Sequence, residues 1–109
     1  YATLDEALGD DAIDVVDLCL PPNLHVSATQ ASLAAGKHVF CEKPLALTAA
    51  ACDELVQAAN RSGKRLFVGH VLPFFGEYAY ALASARDGRF GKLLGGSFKR
   101  VISDPLWLK

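Results

Sequence analysis

The 109-residue sequence lacks several features that mark specialised classes of protein. No apolar run reaches the roughly 18 residues that a membrane-spanning helix needs. The formal net charge of -1 offers no basic surface, and proteins that bind nucleic acids usually carry one. The first residues, Tyr1 to Glu6, are acidic and helix-like, so we identify no signal peptide there. We therefore predict that neither a membrane nor a nucleic acid is a partner.

Cysteine and histidine are too sparse and too scattered to suggest a disulfide framework or a metal centre. The cysteines form no CxxC pair and are odd in number, at Cys19, Cys41 and Cys52. This usage favours a reducing compartment, and we expect a cytoplasmic protein. We predict no bound metal, because no zinc-ligand spacing relates the three histidines, which are His25, His38 and His70.

Strand-like and helix-like segments alternate along most of the chain. Apolar residues make up 51% of the sequence and charged residues 21%, which suits one small folded domain. Apolar runs bounded by turn residues predict strands at 13–20, 37–41 and 65–70. The first of these is nearly continuous in apolar residues toward its end, which is typical of a parallel strand covered on both faces. Strands that alternate with helices imply right-handed βαβ units and a parallel sheet.

Capping residues mark where the helices begin and end. Thr3 and Glu6 form a capping box before a short first helix. Asn23 is predicted to cap a helix at 24–35, with Gly36 directly after it. Thr48 is predicted to cap a helix that ends near residue 61, and its apolar stripe comprises Cys52, Leu55, Val56 and Ala59.

The pattern changes after a further helix predicted at about 74–87. Residues 93–102 form a strand candidate with alternating character. Leu94, Phe98 and Ile102 would share one face of that strand. A strand that is apolar on one side predicts an antiparallel sheet. We therefore expect the α/β part to end near residue 90.

The tripeptide Glu42-Lys43-Pro44 directly follows the second predicted strand. Ligands of parallel α/β sheets bind outside the carboxyl ends of the strands. Residues 21–23 and 70–73 follow the other two strands, so we expect them to lie beside the tripeptide. Lys43 is therefore a site candidate, although a solvated charged turn explains the same residues if they are taken alone.

Two runs, at 14–25 and 35–44, together resemble the Gfo/Idh/MocA family of glucose–fructose oxidoreductases and inositol dehydrogenases. The resemblance extends to 68–70 and 88–92. It implies a Rossmann domain that binds NAD or NADP, followed by an α+β domain with a large antiparallel sheet. Residues 1–90 would supply the last three parallel strands of the Rossmann sheet, and residues 91–109 would begin the second, substrate-binding and oligomerisation domain.

The resemblance also implies roles for particular residues. Lys43 would be the catalytic residue, in contact with the nicotinamide ribose or the substrate hydroxyl. A bond that is frequently cis would precede Pro44. His25, in the first turn of the helix after the first strand, is expected to contact the cofactor or the substrate. His70, at the end of the third strand, is expected to contact the substrate or the nicotinamide. The expected cofactor-binding residues are Pro21, Asn23, His25, Glu42, Lys43 and Pro44.

The implied reaction is hydride transfer between a nicotinamide cofactor and a sugar, polyol or related alcohol, in a homo-oligomer. The family's GxGxxG turn, its acidic ribose-binding residue and its histidine-containing catalytic motif have no match in this sequence. We therefore expect an interior piece of a longer oxidoreductase that is inactive alone. Pro73 also departs from the family, since many members carry an arginine nearby.

Two other classes of function remain open. The chain could be a non-catalytic α/β module that associates through the exposed edge of its first strand, because an unpaired edge invites pairing with another chain. It could also be a flavodoxin-like regulatory domain, although the sequence shows no acidic cluster that would accept a phosphate.

Overall fold

The computed structural model describes residues 1–99 and Val101. The chain divides into two compact units, Tyr1–Val71 and a second unit that begins at Leu72. No helix in the described residues is both long and apolar enough to cross a bilayer. The predicted domain division at 90/91 concerns the complete protein and stays a prediction.

The first unit is an α/β layer built on a three-stranded parallel sheet. The strands lie in the order β1-β2-β3, so each neighbour in the sheet is also the next strand along the chain. The predicted α/β fold class is therefore confirmed. The elements in chain order are α1 (Leu4–Leu8), β1 (Val15–Leu18), α2 (Pro22–Ala34), β2 (His38–Cys41), α3 (Ala49–Ser62) and β3 (Leu66–Val68).

The core lies on one face of this sheet. On the central strand β2, Val39 and Cys41 are fully buried, whereas Phe40 between them is 38% exposed. Phe67 pairs with Phe40 across the strands and is also exposed. Among the described residues, helices therefore cover one face, and the predicted burial on both faces is not seen. The buried core cluster comprises Leu18, Ala28, Leu33, Val39, Cys41 and Ala59.

Helix α2 begins earlier than the sequence pattern indicated. Pro21 is its N-cap residue and makes no side-chain capping bond, and Pro22 is the first helical residue. The prediction that Asn23 caps this helix is therefore wrong. Proline is favoured at the first helical position because its missing N–H would have no intrahelical partner there and its φ is already helical. Asn23 consequently lies inside the first turn.

The other helix ends follow the predicted capping chemistry. The Glu6 N–H donates to Thr3 Oγ1 at 3.2 Å, and the Ala51 N–H donates to Thr48 Oγ1 at 3.2 Å. Gly36 has φ +74° directly after α2, and its N–H donates to the Leu33 carbonyl. A left-handed residue of this kind is the usual way to close a helix.

The second unit contains a 3₁₀ turn at Leu72–Phe74 and helix α4 (Gly76–Arg86). Phe74 was predicted to open this helix but belongs to the turn and is 86% exposed. Residues 93–99 are assigned to no strand, and Ile102 lies outside the described residues. A strand requires a partner, and no described residue supplies one to this segment. The predicted second, antiparallel domain stays a prediction.

Candidate functional site

The carboxyl ends of the three strands are aligned across the sheet. Leu18 pairs with Cys41, and Cys41 pairs with Val68. The ladder continues one step beyond the strands, because the Glu42 N–H donates to the Leu18 carbonyl at 3.1 Å and the Gly69 N–H donates to the Cys41 carbonyl at 2.8 Å. The segments that follow the strands therefore leave the sheet at one common edge, which we call the strand-end edge.

Most of the predicted site residues are accessible at the strand-end edge. Glu42 is half-buried and His25 is buried, whereas exposed positions are occupied by Pro21, Asn23, Lys43, Pro44 and His70. The alignment of the strand ends thus brings the segments after β1, β2 and β3 to one edge, as predicted. The direct contacts predicted for these residues with cofactor or substrate stay predictions.

The Glu42 carboxylate orders the backbone of the turn that follows β2. Its Oε2 accepts a hydrogen bond from the Lys43 backbone N–H at 3.0 Å. The carboxylate also lies against Gly69, where an added Cβ would be 3.4 Å from Glu42 Oε1. That distance is an ordinary van der Waals contact, so the carboxylate packs closely on the backbone after β3. The bond between Lys43 and Pro44 is cis, as the family resemblance implied.

His25 is enclosed beneath the same turn. Its side chain is fully buried, its Nδ1 lies 2.7 Å from the Pro44 carbonyl oxygen and its Nε2 lies 2.7 Å from the Leu20 carbonyl oxygen. The imidazole therefore joins the segment after β1 to the segment after β2. Sequence reasoning missed this link because both partners are main-chain oxygens, which carry no residue-specific signal.

At the opposite edge of the sheet, two side chains join elements in a similar way. The Lys37 ammonium donates to the Asp10 carbonyl oxygen at 2.8 Å, and Lys37 is only 6% exposed. The Arg65 N–H donates to His38 Nδ1 at 2.9 Å. His38 thus has a structural role at the amino end of β2, where it joins this strand to the residue before β3.

The cysteines near the strand-end edge are not activated nucleophiles. The negative charge of Asp17 raises the pKa of the Cys19 thiol, and burial raises the pKa of the Cys41 thiol. A nucleophilic cysteine needs the opposite shift, because the thiolate is the reactive form. Among the described residues, no group of three or more His, Cys, Asp or Glu side chains could hold a metal ion.

A comparison with protein families identifies the sequence. Residues 1–70 match the Gfo/Idh/MocA family, described as an oxidoreductase family with an NAD-binding Rossmann fold. The chain belongs to the Gfo/Idh/MocA family. The matched region of this Gfo/Idh/MocA chain includes all three strands and the Glu42-Lys43-Pro44 turn at the strand-end edge.

Relatives of this Gfo/Idh/MocA chain include enzymes named for cyclic polyols and sugars. It is 45% identical to inositol 2-dehydrogenase of Pseudomonas fluorescens over 64% of this chain and 21% of that protein. It is 36% identical to 1,5-anhydro-D-fructose reductase of Ensifer adhaerens over 94% of this chain and 31% of that protein.

A solved structure has the same architecture. The NAD binding oxidoreductase from Klebsiella pneumoniae aligns with a TM-score of 0.75 and 36% identity, over 81% of this chain and 23% of that one. The chain spans about a quarter of the length of the curated relatives that it matches. The Rossmann-type fold is therefore shown for this segment.

Proposed function

We propose that the complete protein transfers hydride between a nicotinamide cofactor and a sugar, polyol or related alcohol. The observation that carries this proposal is the exposed Lys43 in an ordered turn at the carboxyl end of the central parallel strand. Membership of an NAD-binding oxidoreductase family supports the reaction class. The names of the inositol and anhydrofructose relatives support the substrate class.

The residues at the strand-end edge fit one end of such a cofactor. Lys43, Pro44 and His70 are exposed at this edge, so a ligand can reach them. Pro21, Asn23, Glu42 and Pro44 would line the cofactor, which is NAD or NADP. His25 would support the cofactor indirectly, through the Pro44 and Leu20 carbonyls against which its ring nitrogens lie.

Lys43 would act on the substrate oxygen. When bound, the nicotinamide supplies the acceptor for the hydride that leaves the alcohol carbon. The Lys43 ammonium would donate a hydrogen bond to the hydroxyl oxygen and stabilise the negative charge that develops on it as the hydroxyl proton passes to solvent water and the carbonyl forms. His70, exposed directly after β3, would contact another substrate hydroxyl.

The decisive test is Lys43→Ala in the complete protein, assayed with each nicotinamide against a panel of polyols and sugars. We expect kcat to fall by about 10²–10³-fold, because a donor aimed at a developing oxyanion is lost. Circular dichroism and cofactor binding should be retained. Lys64→Ala, which changes a lysine before the amino end of β3, is the matched control and should keep normal turnover. Near-normal kcat in Lys43→Ala would refute the proposed role.

A second candidate is an associating module, favoured by the exposed edge of β1. Val15 on this edge strand is 57% exposed, and β1 pairs only with β2 in the described sheet. Unpaired strand edges promote association with other chains. Light scattering of the 109-residue chain should then show a dimer or larger species, whereas a stable monomer would argue against it. We also propose that the complete protein is a homo-oligomer.

A further inference from the structure

We propose that His25 is a positioning residue that fixes the turn at Glu42, Lys43 and Pro44, and through that turn the catalytic geometry of Lys43. This inference rests on the function proposed above for Lys43. It differs from the direct cofactor contact predicted for His25, because the imidazole is buried and both of its nitrogens already lie against carbonyl oxygens.

The turn is held on both sides of Lys43. Before it, the Glu42 N–H is bonded to the Leu18 carbonyl, and the Lys43 N–H is bonded to the Glu42 carboxylate. After it, the Pro44 carbonyl lies 2.7 Å from His25 Nδ1. The backbone that carries Lys43 is therefore fixed by neighbours while its side chain remains exposed.

The His25 ring also anchors this turn to a second strand. Its Nε2 lies 2.7 Å from the carbonyl oxygen of Leu20, which follows β1. The ring itself is carried by α2, so one side chain joins a helix to the segments after two neighbouring strands. Loss of the ring would free the turn from the helix and from the segment after β1 together.

Both partners of the imidazole are acceptors, which sets the chemistry of any replacement. A carbonyl oxygen can only accept, and a neutral imidazole carries one N–H, which donates to one of the two oxygens. A glutamine amide carries both of its N–H groups on one nitrogen, so it can also donate, but it lacks the rigid ring that lies against both carbonyls. A leucine fills similar space and donates to neither. The expected order of turn stability is therefore wild type, then His25→Gln, then His25→Leu.

The first experiment measures amide hydrogen exchange of Glu42, Lys43 and Leu45 in the complete protein. We expect the Glu42 and Lys43 amides to exchange at least about tenfold faster in His25→Leu, with a smaller increase in His25→Gln. The control is Leu33→Ala, which removes a buried core side chain from the same helix without touching the turn. Unchanged exchange in both His25 variants, or an equal increase in the control, would overturn the inference.

The second experiment is a double-mutant cycle on kcat with Lys43→Ala. His25→Gln should lower kcat by about 10–100-fold in the wild-type background, since a small misplacement of a reacting group costs about that much. In the Lys43→Ala background the same change should cost less than about threefold, because there is no ammonium left to misplace. A merely structural role would give equal losses in both backgrounds, and that result would overturn positioning through Lys43.

The two experiments separate failure of this inference from failure of the proposed function. If Lys43→Ala has the kcat of the wild type, the proposed role of Lys43 is refuted. The proposal that His25 positions Lys43 for catalysis is then refuted as well. The exchange experiment would still decide whether His25 holds the turn. If Lys43→Ala lowers kcat as expected and His25→Gln lowers kcat equally in both backgrounds, the proposed function of Lys43 stands. That result would refute only the positioning role of His25.

Discussion

Helices α3 and α4 have similar lengths but very different surroundings. Helix α3 has 14 residues, a side-chain cap from Thr48 and a left-handed Gly63 at its end, and its Leu55 is fully buried. Helix α4 has 11 residues and no side-chain cap at Phe75. Among its described residues only Ser84 is buried, and Leu82 is 42% exposed.

This difference shows that a helical sequence pattern predicts a helix but does not predict whether other elements bury its apolar residues. Helix α3 packs in the first unit, where α2 and the sheet supply a core for its apolar face. Within the second unit, α4 contacts the 3₁₀ turn before it, and the Arg89 guanidinium lies 5.5 Å from the centre of the Tyr80 ring. The apolar residues of α4 thus lack an equivalent core in this part of the chain. Substitutions on the two helices should therefore change the free energy of unfolding by unequal amounts.

The largest expected effect is that of Leu55→Ala in α3. Removing a fully buried leucine side chain leaves a cavity and should lower the free energy of unfolding by about 2–5 kcal/mol. Leu82→Ala in α4 is the matched control, and its cost should be about 1 kcal/mol or less because the side chain is partly exposed. Urea titration of the complete protein measures both values. Equal losses would mean that α4 is as well covered as α3 in the complete protein.

A smaller effect is expected from the helix cap. Thr48→Ala removes the oxygen that accepts from the Ala51 N–H and should cost about 1 kcal/mol of stability. Thr48→Ser keeps that oxygen and should stay within a few tenths of a kcal/mol of the wild type. Phe75→Ala in α4 removes no side-chain cap, so any cost there must come from packing. If Thr48→Ser were as destabilising as Thr48→Ala, the cap would not explain the loss.

The sequence pattern predicted the first unit well, because local signals and burial agree there. Thr48 and Gly36 act as predicted, and the three parallel strands lie close to the predicted runs. The apolar stripe predicted for α3 included Val56, which is 50% exposed and so lies outside the buried face of the helix. The start of α2 was missed because two strong signals conflicted: Asn23 is a good cap, but Pro22 prefers the first helical position.

The position of the candidate site in the fold could be predicted from the sequence, but the contacts made there could not. The charged turn after a short apolar strand, together with the family resemblance, was enough to mark Lys43. The contacts of His25 could not be predicted, because both of its partners are main-chain oxygens from segments that only the fold brings together. In residues 93–99 the sequence instead predicted more than the structure shows. Their alternating pattern predicts a strand, but the described residues provide no partner strand for it.

The acceptors of Lys37 and His25 have a consequence for how this segment can vary. Both side chains reach main-chain oxygens, those of Asp10, Leu20 and Pro44. A main-chain oxygen is present whatever the residue type, so these contacts place no demand on the side chains at positions 10 and 20. The demand falls on the donors alone. We therefore expect positions 25 and 37 to tolerate few substitutions, whereas these contacts do not restrict the residue types at positions 10 and 20.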